Sequence, residues 1–274
     1  MHDKTQKLLD TAVEILTGTH PMTVRQTFYQ LISRQVIKND RIGYQAVSNL
    51  LREARKSGVI PWEWIEDRLR RPRAVSMWAD LEDFADTVIR AYRKDVWATQ
   101  PQVVEVWVEK DALSGIFEDV LEPYGVTLNV GRGYDGWSSI RNAAERYGDG
   151  VDVIVLYYGD FDPSGEDMFR SLKERLKFFD CEPEMVKTAL SIEDVKRYNL
   201  PPNLTKANDT RRKGFVDSFG DISVELDALP VNVLRAMIKE EIEVRMDLDA
   251  LGGVRDEEKR DKAYLIKILS NKNA

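Results

Sequence analysis

At 274 residues and 43% apolar, the chain is long enough for one large or two ordinary folded domains with filled cores. A single cysteine, Cys181, excludes an internal disulfide, and with only His2 and His20 beside it the sequence lacks the ligands of a zinc site. No apolar run approaches the ~20 residues of a membrane span, and the polar opening MHDKTQKLLD has no signal-peptide hydrophobic stretch, so an intracellular protein, cytoplasmic or nucleoid-associated, is expected.

The formal net charge of −7 argues against a nucleic-acid partner only as an average. Residues 1–75 hold 13 Lys plus Arg against 8 Asp plus Glu, whereas the remainder holds 27 against 39. Within the basic part, Arg52, Arg55, Lys56, Arg68, Arg70, Arg71 and Arg73 form a cluster suited to a phosphate backbone, or to a solvated helical face.

In chain order, residues 5–17 read as a first helix, with Leu8, Leu9, Ala12, Val13 and Leu16 at helical spacing. Thr23 offers an N-cap for a second, whose Val24, Phe28, Leu31 and Ile32 share one face. A third turns Val47, Leu50, Leu51 and Ala54 inward and is closed by Gly58 and Pro61. Three short helices, an extended VIPWEWI and a run of arginines predict a winged helix-turn-helix domain over 1–75. Trp62 and Trp64 are read as anchoring that wing. Met77, Leu81, Phe84, Val88, Tyr92 and Val96 predict one connecting helix, within 76–101, packed between domains. From 102 to 274 the pattern is VVEVWVE, a helix, VTLNV, a helix and VDVIVLYYG, followed by further helical stretches. That alternation predicts a mixed α/β fold with a largely parallel sheet.

In open α/β sheets function gathers at the carboxyl ends of strands, and here two strands end in acids, at Glu109 and at Asp160 with Asp162 just beyond. Oxygen-only ligands of this kind suit Mg²⁺ held against phosphate. Asp-x-Asp-Pro-x-Gly is also ordinary turn chemistry, so on pattern alone both readings stand.

The wording around these acids resembles the Toprim domain of the topoisomerase VI A subunit and the meiotic double-strand-break transesterases. The shared segments are Glu109-Lys110-Asp111-Ala112, Gly131-Arg132-Gly133-Tyr134 and Asp160-Phe161-Asp162-Pro163-Ser164-Gly165, in the family's order, with Arg132 for the usual lysine and Asp135 for the usual proline. The stretch VELDALPVNVLRAMI, 224–238, is more faintly similar to a family helix. The resemblance implies that Glu109, Asp160 and Asp162 hold Mg²⁺ and that Arg132 faces phosphate. It also implies a nucleophilic tyrosine ahead of the Toprim domain, which TVRQTFYQL supplies as Tyr29, four residues after Arg25 and preceded by Phe28 where the family usually has a second tyrosine. Residues four apart are helical neighbours, so the Arg25 guanidinium is expected beside the Tyr29 hydroxyl, where it favours the phenolate.

The compact length is similar to the free-standing relatives of the A subunit. The implied activity is cleavage of double-stranded DNA through a 5′-phosphotyrosyl link by a homodimer, each tyrosine facing the other protomer's acids, with Arg25 and Lys110 assisting. Any ATPase belongs on a separate B-type subunit, since the chain has no phosphate-binding Gly-x-x-x-x-Gly-Lys-Ser/Thr motif. Two other readings remain: a Toprim metal-dependent nuclease with no covalent step, and a non-enzymatic DNA-binding protein.

Overall fold

The computed structural model describes residues 3–66, 75–131, 136–148, 150–203, 205 and 209–270. The fold is mixed α/β: among the described residues, eleven α-helices surround one sheet of four parallel strands. Helices α1 (Asp3–Gly18), α2 (Val24–Ser33) and α3 (Arg41–Lys56) come first, then α4 (Leu81–Ala91). The α/β part runs β1 (Val103–Val108), α5 (Ser114–Leu121), β2 (Thr127–Val130), α6 (Trp137–Tyr147), β3 (Val153–Tyr158), α7 (Pro163–Phe178) and β4 (Glu184–Ala189). Helices α8 (Ile192–Arg197), α9 (Arg212–Phe219), α10 (Val231–Glu243) and α11 (Leu248–Ser270) complete it.

The strand order is β2-β1-β3-β4, with Val106 opposite Leu128 on one side and Leu156 on the other. Both faces are covered, which is why VVEVWV and VIVLYY are nearly continuous apolar runs and not alternating ones. Alternate residues still separate the faces. Val104, Val106, Ile154, Leu156 and Tyr158 join a core shared with α5, α10 and the three N-terminal helices, whereas Trp107, Val155 and Tyr157 face α6 and α7. From β1 the chain moves to β2 on one side and then to β3 on the other, so the connections part at the carboxyl ends of β1 and β3.

Thr23 caps α2 as expected, accepting from the Gln26 amide at 3.1 Å while the Thr23 N–H donates to Gln26 Oε1 at 2.9 Å. Helix α2 then packs on the short turn Leu226–Ala228, which the antiparallel bridge between Phe161 and Val224 holds at the sheet's carboxyl edge.

Three expectations are corrected. VIPWEWI does not run extended: Trp62–Trp64 is a single 3₁₀ turn, and beyond it Ile65 bridges Met22. Trp64 stacks on His20 at 4.6 Å, but Trp62 is 58% exposed beneath Arg55, so only one of the pair anchors anything. The connecting helix is shorter than 76–101 and does not lie between packed layers. Asp80 caps its start, Tyr92 ends it, and Leu81, Phe84 and Val88 are exposed, because its contact with α11 is made by polar groups such as the Tyr92 hydroxyl donating to Asp261 at 2.8 Å.

Candidate active site

The parallel register places the ends of β1 and β3 side by side: Val108 pairs with Tyr158, and the Glu109 N–H donates to the Tyr158 carbonyl at 2.9 Å. Glu109 therefore projects next to the Gly159–Asp160 peptide and accepts the Asp160 N–H at 2.9 Å on Oε2. The glycines of this turn are demanded by space. A Cβ on Gly159 would lie 2.8 Å from Glu109 Oε2, and one on Gly165 would lie 2.3 Å from the Asp160 carbonyl oxygen. Asp162 caps α7, its Oδ1 accepting the Gly165 N–H at 2.7 Å.

Asp160 is buried, with Oδ1 accepting the Leu226 N–H at 2.8 Å and Oδ2 paired to Lys110 Nζ at 2.9 Å. Lys110 also donates to Glu225 Oε2 and Asp227 Oδ2, both at 3.0 Å. Glu225 Oε2 in turn accepts from the Arg25 guanidinium on α2. One chain of ion pairs thus runs from the N-terminal helices, through Glu225 and Lys110, to Asp160 at the end of β3.

Burial pushes Glu109 up to about 7, with the neighbouring Asp160 charge adding to it. Burial likewise pushes Asp160 up to about 6, against the opposing pull of Lys110 and the Leu226 N–H. Burial also works to raise Glu225, yet Lys110 and Arg25 outweigh it and hold that carboxyl below its usual range. Lys110 is held firmly protonated: burial works against its charge, but Asp227, Asp160 and Glu225 prevail.

Tyr29 departs from expectation. Its side chain is buried, and burial followed by the Glu225 charge pushes the phenol above its ordinary value, while Arg25 and Lys110 pull the other way and lose. Arg25 does lie in the field of Tyr29, but its guanidinium is committed to Glu225, so the phenol stays protonated in this arrangement.

The structure therefore brings together Arg25, Tyr29, Lys110, Glu109 and Asp160, with Asp162 on the adjoining turn. As they stand, no three His, Cys, Asp or Glu side chains among the described residues form a ready metal cage. Arg52 and Lys56 lie apart on exposed α3, both bonded to Glu53 at 3.0 and 3.4 Å, and Arg55 covers Trp62. Arg70, Arg71, Arg73 and Arg132 lie outside the described residues.

Glu225 and Asp227 are the residues that motif reading missed. Asp227 is 1% exposed, and its second oxygen is sealed without a partner among the described residues. Their signal was the acidic alternation in VELDALP, but it takes the Phe161–Val224 bridge and the Leu226–Asp160 hydrogen bond to return that segment to the strand ends. Comparison with protein-family models and with curated proteins finds no match to this chain. No helix among the described residues is long and apolar enough to cross a membrane.

Proposed function

We propose that this protein is a DNA-cleaving transesterase similar to the topoisomerase VI A subunit, with a winged-helix domain in 1–75 and a Toprim domain in 102–274. The observation that carries the reading is the ion-pair chain Arg25–Glu225–Lys110–Asp160. It joins two motifs far apart in sequence, one with a candidate nucleophile and one with candidate metal ligands.

Tyr29 forms the new bond from its phenolic oxygen to a backbone phosphorus, the bond from phosphorus to the 3′-oxygen breaks, and the phenolic proton leaves as the 3′-oxygen gains one. The DNA 5′ end remains on Tyr29. Arg25 and Lys110 supply positive charge to the phosphate oxygens as charge builds there. The residues fit Mg²⁺ in donor type, for Glu109, Asp160 and Asp162 offer only oxygen, and the burial and the neighbouring Asp160 charge that together raise Glu109 are offset by a cation. Bound there, Mg²⁺ would supply Lewis-acid stabilisation of the phosphoryl charge.

The partner is double-stranded DNA, and a homodimer provides the two tyrosines of a double-strand break. Strand passage requires a separate ATPase subunit. The buried, protonated state of Tyr29 gives one specific ground for the nuclease reading, in which the tyrosine is structural.

End-labelled duplex incubated with the protein and Mg²⁺, stopped with denaturant and resolved with and without protease, separates these. Protein retained on 5′ ends, and abolished by Tyr29→Phe, is the expected result; cleavage with free ends that survives the substitution makes the protein a nuclease.

A further inference from the structure

Glu225 holds an unusual position in the ion-pair chain: both of its cationic partners, Arg25 and Lys110, donate to the same oxygen, Oε2. Its other oxygen takes no hydrogen bond among the described residues. The side chain is 29% exposed, against 10% for Asp160 and 1% for Asp227, so of the three carboxylates on Lys110 it is the most open to water. Its backbone cannot follow. Val224 is bonded both ways to Phe161 at 2.9 Å, and the Ala228 N–H donates to the Glu225 carbonyl at 2.9 Å. Any exchange at this point is a side-chain rotation.

Two convergent cations on one monoanion match the demand of a phosphodiester, which is also a monoanion and has two non-bridging oxygens to accept from them. A phosphodiester substituted for the carboxylate leaves the charge balance unchanged, and Lys110 keeps Asp160 and Asp227. Glu225 also lines the cleft that opens beside Asp160, Asp162 and Ser164 at the start of α7, so the exchange site faces a space that a strand can reach.

We propose that Arg25 and Lys110 form a phosphodiester-binding site which the Glu225 carboxylate fills in the free protein, and that DNA seats itself by displacing that carboxylate. The inference rests on the reading of the protein as DNA-cleaving, and supplies its resting state. With Glu225 in place the two cations are committed and the tyrosine is idle; with phosphate in place the same cations lie against the group to be attacked.

The test is binding of a short fluorescent duplex by full-length protein in EDTA, where nothing is cleaved, followed by anisotropy across a salt series. Glu225→Gln keeps the side-chain shape and removes the competing charge. The expected result is about five-fold tighter binding, since no carboxylate has to be displaced, at an unchanged salt slope, since both proteins make the same phosphate contacts once DNA is seated. Arg25→Gln in the same background is expected to cancel the gain in affinity and to make the slope shallower by roughly 0.9. Affinity equal to wild type, weaker binding, or a steeper slope, which would mean that wild-type DNA does not reach these cations, overturns the proposal.

Should the amide variant melt far below wild type, Glu225→Asp serves instead, since it withdraws the carboxylate by one methylene. Tighter binding is again expected, and equal affinity overturns the proposal. Unchanged affinity in a variant that still forms the Tyr29–DNA link overturns the Glu225 exchange alone. Tighter binding at an equal slope with no such link in any variant overturns the transesterase alone, and no binding by either protein overturns both.

Discussion

Strand β1 and the residue that follows it carry two glutamates four residues apart, and the fold treats them in opposite ways. Glu105, 4% exposed, accepts from Arg146 Nε at 3.1 Å and Nη2 at 2.9 Å, from Asn129 Nδ2 at 2.7 Å and from the Tyr147 hydroxyl at 3.1 Å. Glu109, at the strand's end, accepts one backbone N–H, stands next to another buried acid, and is pushed up to about 7. The same residue type is saturated at one position and left with unmet electrostatic demand at the other. Saturation marks a structural carboxylate; unmet demand beside a second acid makes Glu109 the candidate for a ligand.

Breaking the saturated member gives the largest expected effect on stability. Glu105→Ala strands the Arg146, Asn129 and Tyr147 donors, and with Arg146 partly solvated the unfolding free energy falls by about 3 kcal/mol in denaturant titrations. DNA cleavage per folded molecule is expected to stay intact.

Breaking the other member reverses the sign. Glu109 binds its proton more tightly folded than unfolded, so its contribution to stability is present below its ordinary pKa and is lost as pH rises through about 7. Wild-type protein in EDTA is therefore expected to lose melting temperature, relative to Glu109→Gln, as pH climbs from about 4.5 to about 7. Mg²⁺ raises the wild-type melting temperature near neutrality and leaves the variant nearly unchanged. A wild type and variant with parallel pH profiles would place Glu109 with Glu105 as a structural group. Smallest is Asn129→Ala, which removes one of four donors to Glu105 and is expected to cost about 1 kcal/mol in the same titration.

Mixing separates the alternatives for subunit arrangement. Tyr29→Phe combined with Glu109→Gln regains partial cleavage if the tyrosine of one protomer serves the acids of the other, and stays dead if each chain works alone. The intrachain Arg25–Glu225 pair favours the second outcome.

The parallel sheet was legible because apolar β-branched runs alternate with helical stretches, and the Thr23 cap was legible from its own local chemistry. Glu109, Asp160 and Asp162 stood out because two neighbouring strands end in acids, although turn chemistry alone also accounts for the Asp-x-Asp-Pro-x-Gly pattern. The state of Tyr29 was not legible. Helical spacing places Arg25 beside it, yet the guanidinium is claimed by Glu225, 200 residues away, and no local pattern carries that information. Trp62 and the apolar residues of α4 failed for a related reason: periodicity says that a stripe exists, not what covers it.

The 200-residue separation of Arg25 and Glu225 also orders events during synthesis. Tyr29 and the first three helices leave the ribosome early, but at about 5–20 residues per second Glu225 follows roughly 10–40 s later. During that interval the nascent chain carries its candidate nucleophile without the segment that completes the ion-pair chain. A chain that stalls before residue 225 is thus left with Arg25 and Tyr29 but without the carboxylate that ties them to Lys110.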